Sequence, residues 1–369
     1  MAEPLSRSVH RIGPSIGRRR FLAIAGLGAT GWLAACAPRP SAGGPQGSES
    51  GASAGSGSAP SQQAPAHVRA GVIAGLSENI FQYLGQERGF FRDEGIDIEF
   101  IEFQAGGPML KALLANELDI AESGFAAMPL AVVNGADLKF VGATKPGLNF
   151  ALYTRPEINR VEDLIGKSVG IADPGSFLHQ LMVALFDVQG IDDRDVQYVN
   201  IGSSPAVFRA VLAGKVDAGP STIDWVPEAR RSDNTKVLLY FNEYLPKYIR
   251  TGLMVRGSDI EAKRDVLVRT MIAWARSIRY SLEHKDEWLA LAASRTGRPR
   301  DELEFTYDYE KEHKIVAPNL TIDPDALRFA QEMNVRAGSQ PEVLPFERVA
   351  TTALQQEVVR RLGEYQWRA

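Results

Sequence analysis

The chain has 369 residues, 44% of them hydrophobic and 23% charged, a composition that fits a folded globular protein and excludes a wholly disordered or membrane-embedded chain. The length exceeds that of one typical hydrophobic core, so we expect two lobes. The net charge is −4, and residues 67–369 carry 35 basic and 43 acidic groups, which argues against nucleic acid as a partner. The single cysteine excludes an internal disulfide and a cysteine-based metal site.

Residues 1–35 have the pattern of an export signal. Three consecutive arginines end at Arg20 and precede an apolar run of about 15 residues, shorter than the ~20 residues of a membrane-spanning helix. The string Arg-Arg-x-Phe-Leu at 18–22 resembles a twin-arginine signal, and Leu-Ala-Ala-Cys at 33–36 resembles the lipobox of bacterial lipoproteins. We therefore predict cleavage before Cys36 and a lipid anchor on this cysteine. The alternative is a plain cleaved signal with an incidental cysteine.

Residues 37–66 consist almost entirely of Ser, Gly, Ala, Pro and Gln and contain no aromatic residue. Such a segment cannot bury enough apolar surface to fold. We predict that 36–66, with the lipidated cysteine at its start, is a disordered tether. Its root-mean-square reach of roughly 30 Å would hold a folded domain near a membrane and leave it free to turn.

From Val68 onward, short apolar strands alternate with amphipathic helices, which is typical of parallel α/β architecture. The first predicted elements are strands at 68–74, 96–103, 118–122 and 139–143 and helices at 79–91 and 109–116. Residues 259–363 are predicted to be helical throughout, beginning with a long amphipathic helix at 259–284.

An internal repeat indicates that the α/β unit occurs twice. Gly-Ile-Asp stands at 95–97 and again at 190–192, and Lys-Ala-Leu-Leu-Ala-Asn-Glu-Leu-Asp at 111–119 matches Arg-Ala-Val-Leu-Ala-Gly-Lys-Val-Asp at 209–217. A period near 100 residues is too long for a solenoid, so the repeat predicts two lobes of one design. The alternative is that both copies are generic β-turn-α sequence.

In each copy a strand ends in a Gly- or Ser-rich loop, at 106–108 and at 203–205, that leads into a helix. The backbone N–H groups and the helix dipole at such a position bind anionic or polar acceptor atoms. Ligands of open α/β sheets bind beyond the carboxyl ends of the strands. Two facing lobes would therefore present these loops across one cleft and close on a ligand.

Four motifs carry a resemblance to a known family: Leu-Ala-Asn-Glu-Leu-Asp-Ile-Ala-Glu-Ser-Gly at 114–124, Gly-Ala-Asp-Leu-Lys at 135–139, Leu-Ile-Gly-Lys-Ser-Val-Gly-Ile at 164–171 and Leu-Ala-Gly-Lys-Val-Asp-Ala at 212–218. Together they resemble the substrate-binding proteins of ABC importers. The subgroup contains sulfonate, taurine, thiamine-precursor and riboflavin binders and the yeast-type thiamine pyrimidine synthases.

This resemblance implies an α/β type II periplasmic-binding-protein fold with a ligand cleft between two lobes. We expect lobe one at 67–153 plus 252–369 and lobe two at 154–251, with crossovers at the strands 150–153 and 253–255. It further implies an extracytoplasmic monomer that delivers a small molecule to a permease and its ATPase, held at the cell membrane by the lipid anchor.

Loops at the predicted strand ends supply the candidate ligand-binding residues, although any one Ser or Asp among them could simply cap its helix. The candidates are Ser77, Glu78, Asn79, Gly106, Gly107, Ser123, Phe125, Asn149, Asp173, Ser176, Phe177, Ser203, Ser204, Asp224, Trp225 and Tyr248. Trp225 is the first choice among the aromatic residues, because an indole placed just after a strand-end loop suits stacking on a flat ring.

The ligand hypothesis depends on these aromatic and acidic residues. Aromatic walls suit a flat ring, and the carboxylates of Glu78, Asp173 and Asp224 favour a neutral or cationic heterocycle over an anion. We therefore expect riboflavin first and a thiamine-type pyrimidine second. The alternative is an alkanesulfonate, taurine or nitrate, held by backbone N–H groups, serines and Lys145.

The sequence predicts no enzyme activity and no cofactor or metal. The pyrimidine synthases of this family carry a cysteine-rich iron site, and no cysteine besides Cys36 is present. The five histidines form no H-x-x-x-H pair. A synthase-like enzyme and a sensory or scaffold protein are the remote alternatives.

Overall fold

The computed structural model describes residues 64–74 and 77–367. The predicted export signal, the predicted anchor at Cys36 and nearly all of the predicted tether lie outside these residues, as does the side chain of Glu78. Within the described ranges, no helix is both long enough and apolar enough to span a membrane.

Among the described residues, ten strands form two five-stranded sheets. The strands are β1 Ala66–Ile73, β2 Ile96–Phe103, β3 Ile120–Gly124, β4 Leu138–Lys145, β5 Phe150–Thr154, β6 Ser168–Ile171, β7 Gln197–Asn200, β8 Ala218–Thr222, β9 Lys236–Tyr240 and β10 Thr251–Arg256. The predicted strands agree with this set to within about two residues at each end.

Fifteen α-helices lie among the described residues, together with short 3-10 helices such as Ser77–Asn79 and Ile223–Trp225. They are α1 Ile80–Glu87, α2 Phe90–Asp93, α3 Gly106–Leu114, α4 Met128–Val133, α5 Phe177–Val188, α6 Ser204–Leu212, α7 Val226–Arg230, α8 Phe241–Tyr244, α9 Asp259–Ala262, α10 Arg264–Glu283, α11 Lys285–Thr296, α12 Arg300–Glu312, α13 Pro324–Arg336, α14 Phe346–Val349 and α15 Ala353–Leu362.

The two sheets have the same topology. The first has the order β2-β1-β3-β10-β4 and the second β7-β6-β8-β5-β9. In each sheet three parallel strands come first and an antiparallel strand, β10 or β5, stands fourth. The copies of the repeat supply β2, α3 and β3 in one sheet and β7, α6 and β8 in the other. The two-lobed α/β architecture predicted from the repeat is therefore confirmed.

The conserved spacing of the two copies has a local function in the fold. Asp119, before β3, accepts a hydrogen bond from the backbone N–H of Arg69 at 3.0 Å. Asp217, before β8, accepts one from the backbone N–H of Ser168 at 2.8 Å. Each aspartate thus ties the start of its strand to the neighbouring parallel strand, which explains why both copies end in Asp.

The lobe boundaries differ from the predicted ones at the first crossover. The sequence predicts β5 in lobe one. In the structure β5 pairs with β8 and β9 in the second sheet, whereas β10 lies in the first sheet. An apolar strand at a crossover fits either sheet by sequence, and only its hydrogen-bond partners decide. We therefore use lobe one for residues 66–149 and 251–367, and lobe two for 150–250.

The C-terminal region is mostly helical, as predicted, but loops at 313–323 and 337–345 interrupt it. Its longest helix, α10, is buried against lobe one, where the fully buried ring of Trp274 meets the rings of Phe91 and Phe100 edge to face at 6.0 and 5.7 Å. The predicted single helix at 79–91 is divided into α1 and α2, because Gly89 adopts a φ of 79° and ends the first helix.

Candidate ligand-binding cleft

The carboxyl ends of β1 and β8 face each other across the lobes. Ser77 follows β1, and its hydroxyl donates to the carboxylate Oδ1 of Asp224, which follows β8, at 2.7 Å. The hydroxyl of Thr306, on α12, donates to the same oxygen at 3.0 Å. The exposed fractions of these three residues are 4%, 4% and 0%. Two predicted residues, 147 positions apart, are thus brought together in a closed cleft.

A second polar cluster lies where β4 leaves lobe one. The ammonium group of Lys145 donates to Glu310 Oε1 at 2.6 Å, and the amide of Asn149 donates to the same oxygen at 2.9 Å. All three side chains are buried. Because Lys145 is paired with this buried carboxylate, its charge is largely neutralised, which weakens its predicted contribution to holding an anion.

A third polar cluster lies deeper in lobe one. The amide of Gln82, on α1, donates to the carboxylate of Glu122 on β3 and to Asn79 Oδ1, the latter at 3.4 Å. The amide of Asn79 in turn donates to the carbonyl of Ile73, at the end of β1. Asn79, which was predicted to contact ligand, therefore uses its side chain to hold its own segment against the end of β1.

Residues on the α12 side of the cleft were missed by the sequence analysis. Glu302, Thr306 and Glu310 recur every four residues along α12 and are buried, with exposed fractions of 7%, 0% and 7%. This spacing places them on one face of the helix. The four-residue spacing could have indicated this polar face, but a polar face of a helix ordinarily lies in solvent.

Trp225 does not present an open face to the cleft. Its indole stacks on Phe208 with a centroid distance of 5.1 Å and an interplanar angle of 14°. The guanidinium carbons of Arg298 and Arg209 lie over the same ring at 4.1 and 4.7 Å from its centroid. The ring surface predicted to stack on a ligand is therefore already in contact with side chains of the protein.

Two other aromatic candidates belong to the core. Phe125 is fully buried and meets Phe140 edge to face at 5.4 Å, and Tyr248 is fully buried between Phe177 and Phe329 at 6.0 and 6.1 Å. Burial raises the pKa of the Tyr248 hydroxyl well above its usual value. Their assignment to ligand contact is not supported by this packing.

Phe177 keeps a position near the cleft. It is partly buried and packs against Phe150 at 5.2 Å. The guanidinium carbon of Arg250 lies over both rings, at 4.5 Å from the centroid of Phe177 and 5.1 Å from that of Phe150. Arg250 directly precedes β10, so this pair of rings positions a guanidinium group at the second crossover between the lobes.

The glycine loop before α3, predicted to contact a ligand, lies beside the end of β3. The helix begins at Gly106, and a Cβ built there would lie 2.6 Å from the hydroxyl of Ser123, a buried residue at the end of β3. A Cβ on the next residue, Gly107, would meet nothing within 4 Å. The loop therefore brings the first N–H groups of α3 beside a buried serine, while Gly107 points away.

Four predicted residues serve local structure instead. Ser176 and Ser203 cap α5 and α6, accepting hydrogen bonds from the backbone N–H groups of His179 and Ala206, both at 3.4 Å. Ser204 exchanges hydrogen bonds with β8, through the hydroxyl of Ser221 at 2.9 Å. The exposed Asp173 accepts a hydrogen bond from the side chain of Asn200 at 2.6 Å, on the surface of lobe two.

Several buried polar atoms in and beside the cleft have no hydrogen-bond partner among the described residues: Asn149 Oδ1, Gln82 Oε1, Thr222 Oγ1 and Trp225 Nε1. Buried polar groups are nearly always hydrogen-bonded, so such atoms need an explanation. Two of these atoms, Thr222 Oγ1 and Trp225 Nε1, lie at and just after the carboxyl end of β8, a position that suits a polar ligand. Among residues 64–74 and 77–367, no group of three or more His, Cys, Asp or Glu could hold a metal ion.

Two bacterial binding proteins are similar to this chain in sequence. A Bacillus subtilis protein named for binding aliphatic sulfonates is 26% identical over 227 residues, which cover 60% of this chain and 67% of that protein. A taurine-binding periplasmic protein of Escherichia coli is 27% identical over 129 residues, which cover 35% of this chain and 40% of that protein.

A Candida albicans gene product described as having the generic periplasmic binding protein structural fold aligns with a TM-score of 0.61 at 17% identity, over 80% of this chain and 94% of that one. The predicted fold is therefore confirmed. The family model described as "NMT1/THI5 like" matches residues 77–288, which include both repeat copies and most of the cleft. The chain belongs to the NMT1/THI5-like family.

Proposed function

We propose that this protein is the extracytoplasmic solute-binding component of an ABC importer and that its ligand is a small sulfonate, of the alkanesulfonate or taurine class. The observation that carries the proposal is the cleft itself, in which the carboxyl ends of two equivalent sheets meet at buried polar side chains. Lobes of this design close on a ligand and release it by opening.

The donors in and beside the cleft favour a sulfonate over a flat vitamin. Ser123, Thr222 and the N-terminus of α3 offer hydroxyl and backbone N–H donors, and these are the groups that bind oxyanions without a full counter-charge. The aromatic surfaces on which the riboflavin hypothesis depended are packed into the protein, as at Trp225 and Tyr248. Sulfonate- and taurine-binding relatives support the same choice.

A binding role without catalysis fits the same residues. The cleft pairs its described carboxylates with hydroxyl, amide and ammonium donors of the protein itself. Relatives from Bacillus subtilis and Escherichia coli are named as binding proteins.

We further propose that the protein works as a monomer outside the cytoplasm, exported by the twin-arginine route and held at the membrane by lipid on Cys36. The supporting observations are the arginine string at 18–22, the lipobox at 33–36 and the absence of a second cysteine in the sequence. Several acyl chains give durable membrane attachment, whereas one chain does not.

The ligand is tested by thermal unfolding of the full chain with taurine, ethanesulfonate, nitrate, riboflavin and thiamine. A ligand present at 100 times its Kd stabilises the folded state by about 2.7 kcal/mol. We expect stabilisation by a sulfonate and none by riboflavin or thiamine. Stabilisation by riboflavin, with none by either sulfonate, would contradict the proposal.

The anchor is tested separately by Cys36→Ser. The variant should appear in the soluble extracytoplasmic fraction and keep the ligand affinity of the wild-type protein, because the anchor and the cleft are separate. Continued retention of the variant in membranes, measured by fractionation and immunoblotting, would count against the lipid anchor.

A further inference from the structure

We infer that Asp224 is an interlobe latch, a positioning residue whose carboxylate holds lobe two closed on lobe one through hydroxyl groups of Ser77 and Thr306. The inference concerns the closing of the lobes, and its link to ligand affinity rests on the proposed function. Ser77 belongs to the loop after β1 and Thr306 to α12, so two separate elements of lobe one donate to a single oxygen of lobe two, at 2.7 and 3.0 Å.

The burial of this contact gives it weight. Asp224 is 4% exposed, and a buried carboxylate is strongly unfavourable unless it receives hydrogen bonds. When the cleft opens, water replaces both hydroxyl donors. When one donor is removed and the cleft stays closed, the buried carboxylate of Asp224 lacks one hydrogen bond. Hydrogen bonds to charged groups are roughly twice as strong as those between neutral groups. The latch therefore favours the closed arrangement.

Arg298 reinforces the contact from the same side of the cleft. Its guanidinium donates to the backbone carbonyl of Asp224, lies 4.1 Å from the ring centroid of Trp225, and donates to Glu302 at 2.9 Å. Glu302 also accepts from Arg231 of lobe two. Two turns of α12, and Arg298 two residues before the helix, thus contact the segment after β8.

The opposite face of α12 belongs to lobe one. Leu303 is fully buried, and Tyr307 packs on Trp288 at 5.3 Å and donates its hydroxyl to the carbonyl of Ser281 at 2.8 Å. The helix is thus fixed to lobe one by its apolar side, whereas Glu302 and Thr306 on its polar side contact lobe two. The hydrogen bonds from this helix to lobe two therefore form only when the two lobes are close together.

The test is hydrogen–deuterium exchange of the full chain, without added ligand, followed by mass spectrometry of peptides covering 77–84 and 222–230. Thr306→Val keeps the shape of the side chain and removes the hydroxyl. We expect roughly tenfold faster exchange in both peptides, because losing one charge-assisted hydrogen bond lowers the ratio of closed to open molecules by about that factor.

Thr270→Val is the matched control, since Thr270 is a fully buried helical threonine whose hydroxyl donates to Val266 of its own helix at 2.8 Å. Its effect should stay within α10. Thr306→Ser, which keeps the hydroxyl, should restore the slow exchange. Ser77→Ala removes the other donor and should accelerate exchange in 222–230, on the opposite lobe.

Faster exchange confined to α12, or unchanged exchange in both peptides for Thr306→Val and Ser77→Ala, would overturn the latch. Taurine titration by calorimetry separates this outcome from the proposed function. If the latch holds and taurine binds, Thr306→Val should weaken binding by up to about tenfold. If taurine does not bind the wild-type protein, the proposed ligand is wrong, but the exchange result still decides the latch.

Discussion

The buried ion pair between Lys145 and Glu310 gives the sharpest prediction about stability. The two side chains are 2% and 9% exposed, and Nζ lies 2.6 Å from Oε1. Removing one partner of a buried pair costs about 3–5 kcal/mol, since the other charge stays buried. Glu310 keeps the amide of Asn149 at 2.9 Å. We therefore expect the lower end, about 3 kcal/mol, for Lys145→Met.

The double variant Lys145→Met/Glu310→Gln removes both charges and should recover most of this loss, so that the coupling free energy between the two changes is about 2 kcal/mol or more. The assay is urea unfolding followed by tryptophan fluorescence and circular dichroism, compared at unchanged m-value. A double variant no more stable than Lys145→Met would refute the reasoning.

Lys285→Met provides the control for this experiment. Lys285 also contacts two carboxylates, Glu304 at 2.7 Å and Asp308 at 2.8 Å, but its side chain is 33% exposed. Surface ion pairs contribute about 0–1 kcal/mol, so this variant should lose less than about 1 kcal/mol. A loss equal to that of Lys145→Met would show that burial is not what makes the cleft pair important.

Two further predictions concern the glycine loop and acid stability. Gly106→Ala places a Cβ 2.6 Å from the hydroxyl of Ser123 and should weaken sulfonate binding, measured by calorimetry, about tenfold. The control is Gly107→Ala, whose added Cβ meets nothing within 4 Å and which should bind the sulfonate normally. An equal loss of affinity in both variants would contradict the role of Ser123. Although burial opposes it, hydrogen bonds from Arg69 lower the pKa of Asp119 from 3.8 to about 2, so its stabilisation is complete above pH 4 and lost between pH 4 and pH 2. The difference in urea midpoint between wild type and Asp119→Asn should shrink over that interval, and a constant difference would exclude this linkage.

The repeat was the strongest structural information in the sequence. Matched strand-loop-helix segments with Asp119 and Asp217 at their ends predicted two equivalent lobes. Each aspartate accepts a hydrogen bond from a backbone N–H of the neighbouring parallel strand, so the same local contact recurs in both lobes. Strand and helix positions followed from apolar periodicity, which depends on neighbouring residues alone. The loops at 77 and 224 followed from the rule that ligands bind beyond strand ends.

The chemistry of the cleft could not be predicted in the same way. The local sequence around a tryptophan that follows a strand is the same whether or not other side chains cover its ring. Only the folded structure shows that Phe208 and Arg298 lie against Trp225. The pairing of Lys145 with Glu310 joins residues 165 positions apart. Such contacts depend on how α12 packs against strands and loops that are distant in the chain, which no local pattern encodes.

The sequence by itself therefore determined the α/β class and the duplicated lobes and placed the strand-end loops, because each depends on residues close together in the chain or on a repeated order; the anchor at Cys36 stays a prediction. The tertiary structure decided the lobe to which β5 belongs, the burial of the polar face of α12 and the loss of open aromatic surface. These depend on which distant surfaces meet, and they change the expected ligand from a flat vitamin to a small sulfonate.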